Sequence, residues 1–327
     1  MMIRYRLHAD APSAASSGTA VTIGNFDGVH KGHCELFALI RKTARQEGLR
    51  SAVLTFEPHP RAFFNAASAP AKISSLRDRL AWMKAYGIDE VHILHFDQYL
   101  ASQSPQHFIE EVLVKRLNTR HLWVGDDFKF GHKRSGDFST LTQAGKKLGF
   151  QVDAIQSVLH EDERVSSTEI RKLLAQGDIA QATSALGHPL TYSGHVLHGQ
   201  NLGRTLGFPT LNLGLGSRTS ALSGILAVWV HGLEEHPLPG VASLGVRPSV
   251  KSNGEYWLET YVFDWQGDAY GKNISVEVIK HLRHEAKFDS LDDMVVQMNK
   301  DKEQARACLA QHPASAPLFT FNRSETA

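Results

Sequence analysis

The chain has only two cysteines, Cys34 and Cys308, among its 327 residues. Two cysteines without metal-ligand spacing argue against a disulfide framework and favour a reducing compartment. No apolar run approaches the roughly 20 residues of a membrane helix, and residues 1–20 lack the apolar region of a secretory signal. The chain also lacks an excess of charge of one sign, because it has 35 basic and 34 acidic residues. These absences predict a cytoplasmic protein without a nucleic-acid or membrane partner.

The length and the hydrophobic periodicity predict two domains, at 1–186 and 187–327. In the first, apolar strands alternate with helices, which predicts a doubly wound parallel α/β sheet. In the second, short period-two segments between turn residues predict a small antiparallel β-barrel with a C-terminal helix and a polar tail. Strands are predicted at 19–23, 51–56, 90–96, 121–124 and 151–158, then at 191–197, 225–231, 241–246, 257–263 and 274–279. Helices are predicted at 34–46, 76–86, 105–116, 140–148, 168–176 and 291–310.

The segment 24–33, GNFDGVHKGH, lies between the first predicted strand and helix. Its glycines let the backbone approach a phosphate, and a helix N-terminus offers unpaired N–H groups to an anion. His30 and His33, three residues apart, can add imidazole donors. The alternative is a glycine-rich turn with two solvated histidines. The segment resembles the HxGH site of the nucleotidyltransferase superfamily, which implies that both histidines stabilise charge on the α- and β-phosphates of ATP.

Three further segments follow predicted strands of the first half. EPHP, at 57–60, is a rigid loop beside the presumed site or an ordinary connector. GDDFKFG, at 125–131, offers aromatic rings that stack on a heterocycle or simply belong to the core. SSTEIR, at 166–171, begins a helix with hydroxyl caps. A capped helix start is common, but beside the glycine turn it predicts a second anion-binding helix end at the same cleft.

Two features of the second half suggest phosphoryl transfer. GQNLGRTLGFPTLN, at 199–212, is either a flexible arch around phosphates or a hairpin connection with a solvated Arg204. A Thr hydroxyl and an Asn amide, here Thr210 and Asn212, can ligate Mg²⁺ alongside phosphate oxygens. In the strand at 257–263, alternation puts Glu259 on one face with three aromatic residues. That carboxylate is an exposed charge, a group at a barrel mouth, or a buried group that needs a partner.

Together these segments resemble the bacterial bifunctional riboflavin kinase/FAD synthetases over about residues 18–310. The SSTEIR segment resembles the family's ISSTxxR, with Val165 in place of Ile. The GRTLGFPTLN segment resembles GRxLGFPTxN of riboflavin kinases, with Leu211 where Ala is frequent, and LETY at 258–261 stands where LEVH is frequent. The segment at 283–289 resembles LRxExKFxS, and that at 245–249 resembles GxRPT. The resemblance implies that the C-terminal domain phosphorylates riboflavin with ATP and Mg²⁺, and that the N-terminal domain adenylylates FMN to FAD and releases pyrophosphate.

The resemblance also implies roles for individual residues. The catalytic set would be Glu259, as general base of the kinase, with His30, His33 and Arg171 in the adenylyltransferase. Mg²⁺ would be held by Thr210 and Asn212. The nucleotide-binding residues would be Gly24, Phe26, Asp27, Gly32, Ser167, Thr168, Gly203, Arg204 and Gly207. The flavin-binding residues would be His59, Asp127, Phe128, Arg283, Glu285 and Phe288.

Two alternative functions are weighed. A flavin- or nucleotide-binding regulator that has lost turnover would be favoured by loss of Glu259, His30 or His33, and all three are present. A monofunctional kinase with a docking module as its first domain is disfavoured by the intact segment 167–171. The sequence therefore favours a bifunctional enzyme that uses riboflavin, FMN and ATP.

Overall fold

The structure is a computed structural model that describes residues 2–5, 17–155, 159–160, 163–199, 203, 206–216, 220–246 and 255–315. The described residues form two compact units. The first consists of Met1–Pro70 and Trp82–Arg164, and the second of Ala71–Ala81 and Val165–Ala327.

The first unit contains a six-stranded sheet in which every neighbouring pair is parallel. Its strands are β1 (Met2–Tyr5), β2 (Thr19–Ile23), β3 (Arg50–Glu57), β4 (Glu90–His95), β5 (Thr119–Gly125) and β6 (Gln151–Ile155). The order is β1-β4-β3-β2-β5-β6. The chain builds outward from β2 through β3 to β4 and then returns to the other side of β2 with β5. This reversal creates a switch point at β2 and β5, and open α/β sheets bind ligands at the carboxyl ends of strands beside such a point.

Helices connect these strands, and a two-stranded hairpin of β7 (Leu159–His160) and β8 (Glu163–Arg164) follows β6. The first helix begins directly after the glycine-rich turn, and its buried residues Leu36, Phe37 and Ile40 pack at helical spacing. The helices are α1 (Lys31–Glu47), α2 (Pro60–Phe64), α3 (Leu76–Ala85), α4 (Gln98–Ser102), α5 (Pro105–His107, continued as a π-helix over Phe108–Arg116) and α6 (Phe138–Leu148).

The second unit contains a six-stranded antiparallel sheet in the order β10-β13-β12-β11-β14-β9. A bridge between Leu197 and Asn212 brings its two ends together, with the Leu197 N–H donating to the Asn212 carbonyl at 2.9 Å. The sheet is therefore a nearly closed barrel. Its elements are α7 (Ser167–Ala175), α8 (Ile179–Leu186), β9 (Thr191–His195), β10 (Thr210–Gly216), β11 (Gly224–His231), β12 (Leu238–Val246), β13 (Tyr256–Val262), β14 (Asn273–Arg283) and α9 (Leu291–Leu309).

The core of the barrel unit includes segments that come earlier in the chain than the barrel itself. Ile170 and Leu174 of α7 and Ile179 of α8 belong to the same buried cluster as the barrel residues Leu226 and Val228. Ile73 is also fully buried in this cluster. These segments belong to the barrel unit because their apolar side chains are buried in its core. The division into functional domains at 186/187 stays a prediction.

The predicted fold class is confirmed, since a parallel α/β sheet precedes an antiparallel barrel and a terminal helix. The edge strand β1 and the short helices α2 and α4 were not predicted, and neither was α8. Residues 156–158 of the predicted strand 151–158 lie outside the described residues. Among the helices that the structure describes, none is long and apolar enough to cross a membrane.

Candidate functional site

The turn after β2 has an unusual backbone. The Gly24 N–H donates to the Leu54 carbonyl at 3.1 Å, and the Val29 N–H donates to the Phe26 carbonyl at 3.2 Å. Phe26, Gly28 and Val29 have φ values of 50°, 82° and 45°. Two non-glycine residues in the left-handed region within one short turn indicate local strain, which is concentrated at ligand sites.

The two histidines of this turn lie side by side at the start of α1. Their rings stack with centroids 3.6 Å apart and planes at 21°, and the edge of the Phe26 ring contacts His33 at 5.0 Å between centroids. The His30 side chain makes no capping hydrogen bond to the helix, and the first turn, which includes Gly32, contains no acidic residue. Burial, together with the neighbouring His30, lowers the pKa of His33 well below its ordinary value of 6.5. His33 is therefore neutral at pH 7 and has one ring N–H to donate.

The loop after β5 reaches the same edge of the sheet. Asp127 is exposed, whereas Phe128 is partly buried and stacks on Phe130 at 5.6 Å between centroids. Phe130 belongs to the core of the first unit, so only Phe128 of this aromatic pair lies at the margin of that core. Because β5 is the neighbour of β2, this loop and the histidine turn follow strands on the two sides of the switch point.

The loop after β3 contains His59, whose Nδ1 accepts a hydrogen bond from the Arg61 N–H at 3.1 Å and thereby caps α2. An aromatic cluster that sequence reasoning missed follows it. Phe63, Phe64 and Phe96 pack edge to face with centroids 5.3 to 5.7 Å apart, and Phe64 is 68% exposed. The available signal was the adjacent pair of phenylalanines in a five-residue helix that has no buried residue.

The SSTEIR segment begins α7, with Ser166 as the capping residue. The Ser166 hydroxyl oxygen accepts from the Glu169 N–H at 3.2 Å, and Ser167 and Thr168 occupy the first helical turn. Arg171 Nε donates to the Ala71 carbonyl at 2.6 Å. This segment belongs to the second unit, whereas the two histidines belong to the first. A common anion site formed by both stays a prediction.

The barrel unit places three polar side chains in one row across adjacent strands. Asn212 of β10 pairs with Glu259 of β13, which in turn pairs with Ser243 of β12. Residues directly opposite in an antiparallel sheet share a face, with Cβ atoms about 5 Å apart. Two residues before Asn212 on the same strand, and therefore on the same face of the sheet, Thr210 pairs with Tyr261. The strand alternation that was predicted for Glu259 therefore places this carboxylate beside the Thr210 and Asn212 side chains.

A cavity of about 280 Å³ lies over this row and is lined by Thr210, Ser243, Glu259 and Tyr261. The cavity is also lined by Arg283 at the end of β14, by Glu285 and Phe288 of the following segment, and by residues of α9. The residues of α9 at this cavity were not predicted from the sequence. Three of them lie on one face of the helix, at spacings of four and three residues: Met294, Met298 and Asp301.

Glu285 and Gly245 are in close contact at the rim of this cavity. A Cβ atom at Gly245 would meet the carboxyl group of Glu285, so a larger residue here would require the Glu285 side chain to move. Burial raises the pKa of Glu285. The rest of the predicted GxRPT turn, from residue 247 onward, lies outside the described residues.

The glycine-rich arch before β10 is described at 203 and from 206 onward. The Gly203 carbonyl accepts from the N–H groups of Leu206 and Phe208 at 3.2 and 2.7 Å. A Cβ at Gly203 would lie 2.4 Å from the Phe208 carbonyl oxygen, which explains the glycine. Gly207 has a φ of 85°. The predicted phosphate ligand Arg204 lies outside the described residues.

The predicted Mg²⁺ ligands fit that ion by their chemistry. Asn212 is 4% exposed, and its Nδ2 donates to the Thr210 carbonyl at 3.2 Å, which fixes the orientation of the amide. The described residues contain no group of three or more His, Cys, Asp or Glu that could hold a metal. A hydroxyl and an amide suit Mg²⁺, because this ion takes few protein ligands and completes its shell with water and phosphate oxygens.

Comparison with known proteins finds two family models that match successive parts of the chain. A family model described as FAD synthetase matches residues 13–169, and one described as riboflavin kinase matches residues 186–309. The bifunctional riboflavin kinase/FMN adenylyltransferase of Escherichia coli K12 is 43% identical over 90% of this chain and 93% of its own length. The Haemophilus influenzae protein of the same name is 41% identical over 89% of this chain and 94% of its own length.

A solved structure described as a macrolide-efflux protein from Streptococcus pneumoniae has a TM-score of 0.72 and 30% sequence identity. The match covers 94% of this chain and 99% of that protein. The domain order and the extended identity confirm the prediction made from the motifs. The chain belongs to the family of bifunctional riboflavin kinase/FMN adenylyltransferases.

Proposed function

We propose that this chain phosphorylates riboflavin to FMN in the barrel unit and adenylylates FMN to FAD in the sheet unit, with ATP in both steps. The observation that carries the proposal is that Thr210, Ser243 and Glu259 line one cavity, with Asn212 directly opposite Glu259 on the neighbouring strand. A carboxylate beside oxygen donors suits phosphoryl transfer to a hydroxyl group. The names of the relatives and the order of the two family matches support the assignment of each reaction to its half.

In the kinase step, Glu259 accepts the proton of the ribityl 5′-hydroxyl as its oxygen attacks the γ-phosphorus of ATP. The bond from that phosphorus to the bridging oxygen breaks, and ADP leaves. Thr210 and Asn212 would hold Mg²⁺, which supplies positive charge to the phosphate oxygens when bound. Backbone N–H groups around Gly203 and Gly207, together with Arg204, are proposed to wrap the phosphates.

The flavin ring in this step is proposed to lie between the strands and the terminal helix. Phe288, Met294 and Met298 offer aromatic and thioether surfaces to a flat ring. Glu285, whose pKa is raised by burial, offers a carboxyl group to the polar edge of the ring.

In the adenylyltransferase step, an FMN phosphate oxygen attacks the α-phosphorus of ATP, and the bond to pyrophosphate breaks. An ionised phosphate is already a nucleophile, so this step needs no general base. His30 and His33 donate hydrogen bonds to the phosphates and stabilise the charge that grows on the leaving group. The strained turn with Gly24, Phe26 and Asp27 shapes the approach, and N–H groups near Gly32 complete the anion site.

Ser167, Thr168 and Arg171 are proposed to bind the same ATP from the start of α7. The Ser166 hydroxyl caps α7 by accepting from the Glu169 N–H at 3.2 Å, and Ser167 and Thr168 stand in the first helical turn, where an anion is favoured.

The flavin ring of FMN is proposed to bind at the carboxyl edge of the sheet, near His59, Asp127 and Phe128. The exposed ring of Phe64 supports this placement, because an exposed aromatic cluster on a soluble domain commonly marks a binding surface.

The functional domains are proposed to be 1–186 and 187–327, and the protein is proposed to act in the cytoplasm on small molecules alone. The near-neutral charge balance supports the absence of a nucleic-acid partner, and the scarcity of cysteine supports a reducing compartment.

The proposal is tested by incubating the purified chain with riboflavin, ATP and Mg²⁺ and separating the flavins over time. FMN should form first with ADP, and FAD should follow with pyrophosphate. Chelation of Mg²⁺ should stop FMN formation. Flavin binding without any product would favour the regulator, and accumulation of FMN alone would favour the monofunctional kinase.

A further inference from the structure

A buried carboxylate on α9 lies at the cavity of the barrel unit. Asp301 is 3% exposed, and its two oxygens accept from Arg283 Nε at 2.8 Å and Arg283 Nη2 at 2.6 Å. Gln297 Nε2 also donates to Asp301 Oδ1 at 2.8 Å. A paired fork of this kind fixes the guanidinium plane as well as its position.

The guanidinium of Arg283 makes two further contacts. Arg283 Nη1 donates to the His284 carbonyl at 2.9 Å, and the guanidinium carbon lies 5.9 Å from the centroid of the Phe288 ring. Arg283 thus joins the end of β14 to the segment 284–288 and to α9. Its Nε, Nη1 and Nη2 each have a protein acceptor, so the side chain supports the cavity wall and is poorly placed to bind a phosphate.

A second ion pair on the same helix provides a comparison. Arg306 Nη2 donates to Asp264 Oδ2 at 2.7 Å, and the Asp264 side chain is 78% exposed. Neither residue lines the cavity. The two pairs share their chemistry and their helix, but only Asp301–Arg283 lies in the proposed flavin site.

We propose that Asp301 is a positioning residue for the flavin substrate of the kinase step, acting through Arg283 to hold the segment 284–288 in its binding conformation. The proposal rests on the assignment of this cavity to riboflavin. It predicts an effect on flavin affinity rather than on chemistry, because the Asp301 oxygens accept from Arg283 and Gln297, neither of which belongs to the row that contains Glu259. Loss of preorganisation of this kind typically costs roughly 10- to 100-fold.

The test uses the full chain with Asp301→Asn, which keeps the shape and removes the charge, and with Arg283→Lys, which keeps the charge and removes the fork. Each variant should raise the KM for riboflavin by about tenfold or more, with the KM for ATP and the kcat changed less than about threefold. The affinity for riboflavin in the absence of ATP, measured by quenching of riboflavin fluorescence, should fall by a similar factor. Asp264→Asn is the matched control and should leave all three values unchanged.

FAD formation from supplied FMN reports on the other unit and serves as an internal standard for the amount of intact enzyme. An unchanged riboflavin KM in both variants, or equal rises in the KM for riboflavin and ATP, would overturn the role of Asp301. The double variant Asp301→Asn/Arg283→Lys tests whether the two residues act together. If its loss of riboflavin-binding free energy equals the sum of the two single losses, the residues act independently and the proposal also fails. If the parental chain does not phosphorylate riboflavin, the proposed function itself fails.

Discussion

Replacement of Asp78 by Asn tests how the segment 71–81 is built into the barrel unit. Asp78 is fully buried and accepts from the Ser75 hydroxyl at 2.5 Å, with Ser193 of β9 beside it. Burial raises the pKa of Asp78 from 3.8 to about 6, although hydrogen bonds from both serines oppose the shift. The same segment is joined to the barrel by Arg77 Nη1, which donates to Asn273 Oδ1 at 2.7 Å.

The raised pKa fixes the sign and size of the pH effect. A shift of about two units corresponds to ~3 kcal/mol of preference for the protonated form in the folded state. Because the folded pKa exceeds the unfolded one, this stabilisation is complete below about pH 4 and is lost as the pH rises through about 6. Between pH 4.5 and 7.5, the part of the unfolding free energy that depends on Asp78 should fall by ~2 kcal/mol.

The assay is urea unfolding of the full chain at several pH values between 4.5 and 7.5. Trp82→Phe and Trp123→Phe, present in every variant compared, leave tryptophan fluorescence to report on the barrel unit alone. Asp78→Asn should flatten the decline in unfolding free energy, whereas Asp264→Asn, at a largely exposed position, should keep the parental slope. Parallel declines in the parent and in Asp78→Asn would refute the reasoning.

Three further predictions follow from the described geometry. In the free protein, histidine NMR should show that the pKa of His33 lies well below the ordinary value of 6.5, because burial and the neighbouring His30 lower it; a midpoint near 6.5 would contradict this. Phe64→Ala should raise the KM for FMN in adenylylation by about tenfold without changing the KM for riboflavin, while Leu39→Ala, at another exposed apolar side chain, should change neither. The fragment 188–327 should fold and form FMN. The longer fragment 165–327 should unfold at a higher urea concentration, because α7 and α8 supply buried residues to the barrel core. Equal urea midpoints for the two fragments would show that these helices add no stability.

The strands and the long helices could be predicted because their apolar periodicity is strong. The alternation along β13 placed Glu259 on the face opposite to the buried Leu258 and Thr260, as observed. The glycine motifs were also informative, since the close approach of the Phe208 backbone carbonyl to Gly203 excludes a Cβ atom there.

Other features depend on tertiary packing and left little local signal. The burial of Ile73 in the barrel core depends on contacts that are distant in sequence. The contribution of α9 to the cavity depends on how that helix packs against the barrel, and its methionines and Asp301 read locally as an ordinary amphipathic pattern. Charge pairs such as Asp301 with Arg283 are separated by 18 residues and cross two elements, so spacing alone does not reveal them.

The central claim is that two separate sites in one chain act in succession, and mixing two disabled variants tests it most directly. Glu259→Gln should form FAD from FMN but lose 10²- to 10⁴-fold in FMN formation, as removal of a general base typically does. His30→Ala/His33→Ala should form FMN from riboflavin but no FAD, since charge stabilisers are worth roughly 3 kcal/mol each. Supplied with riboflavin, ATP and Mg²⁺, neither variant alone should form FAD, whereas the mixture should restore it. Undiminished FAD formation from riboflavin by either variant alone would contradict the account.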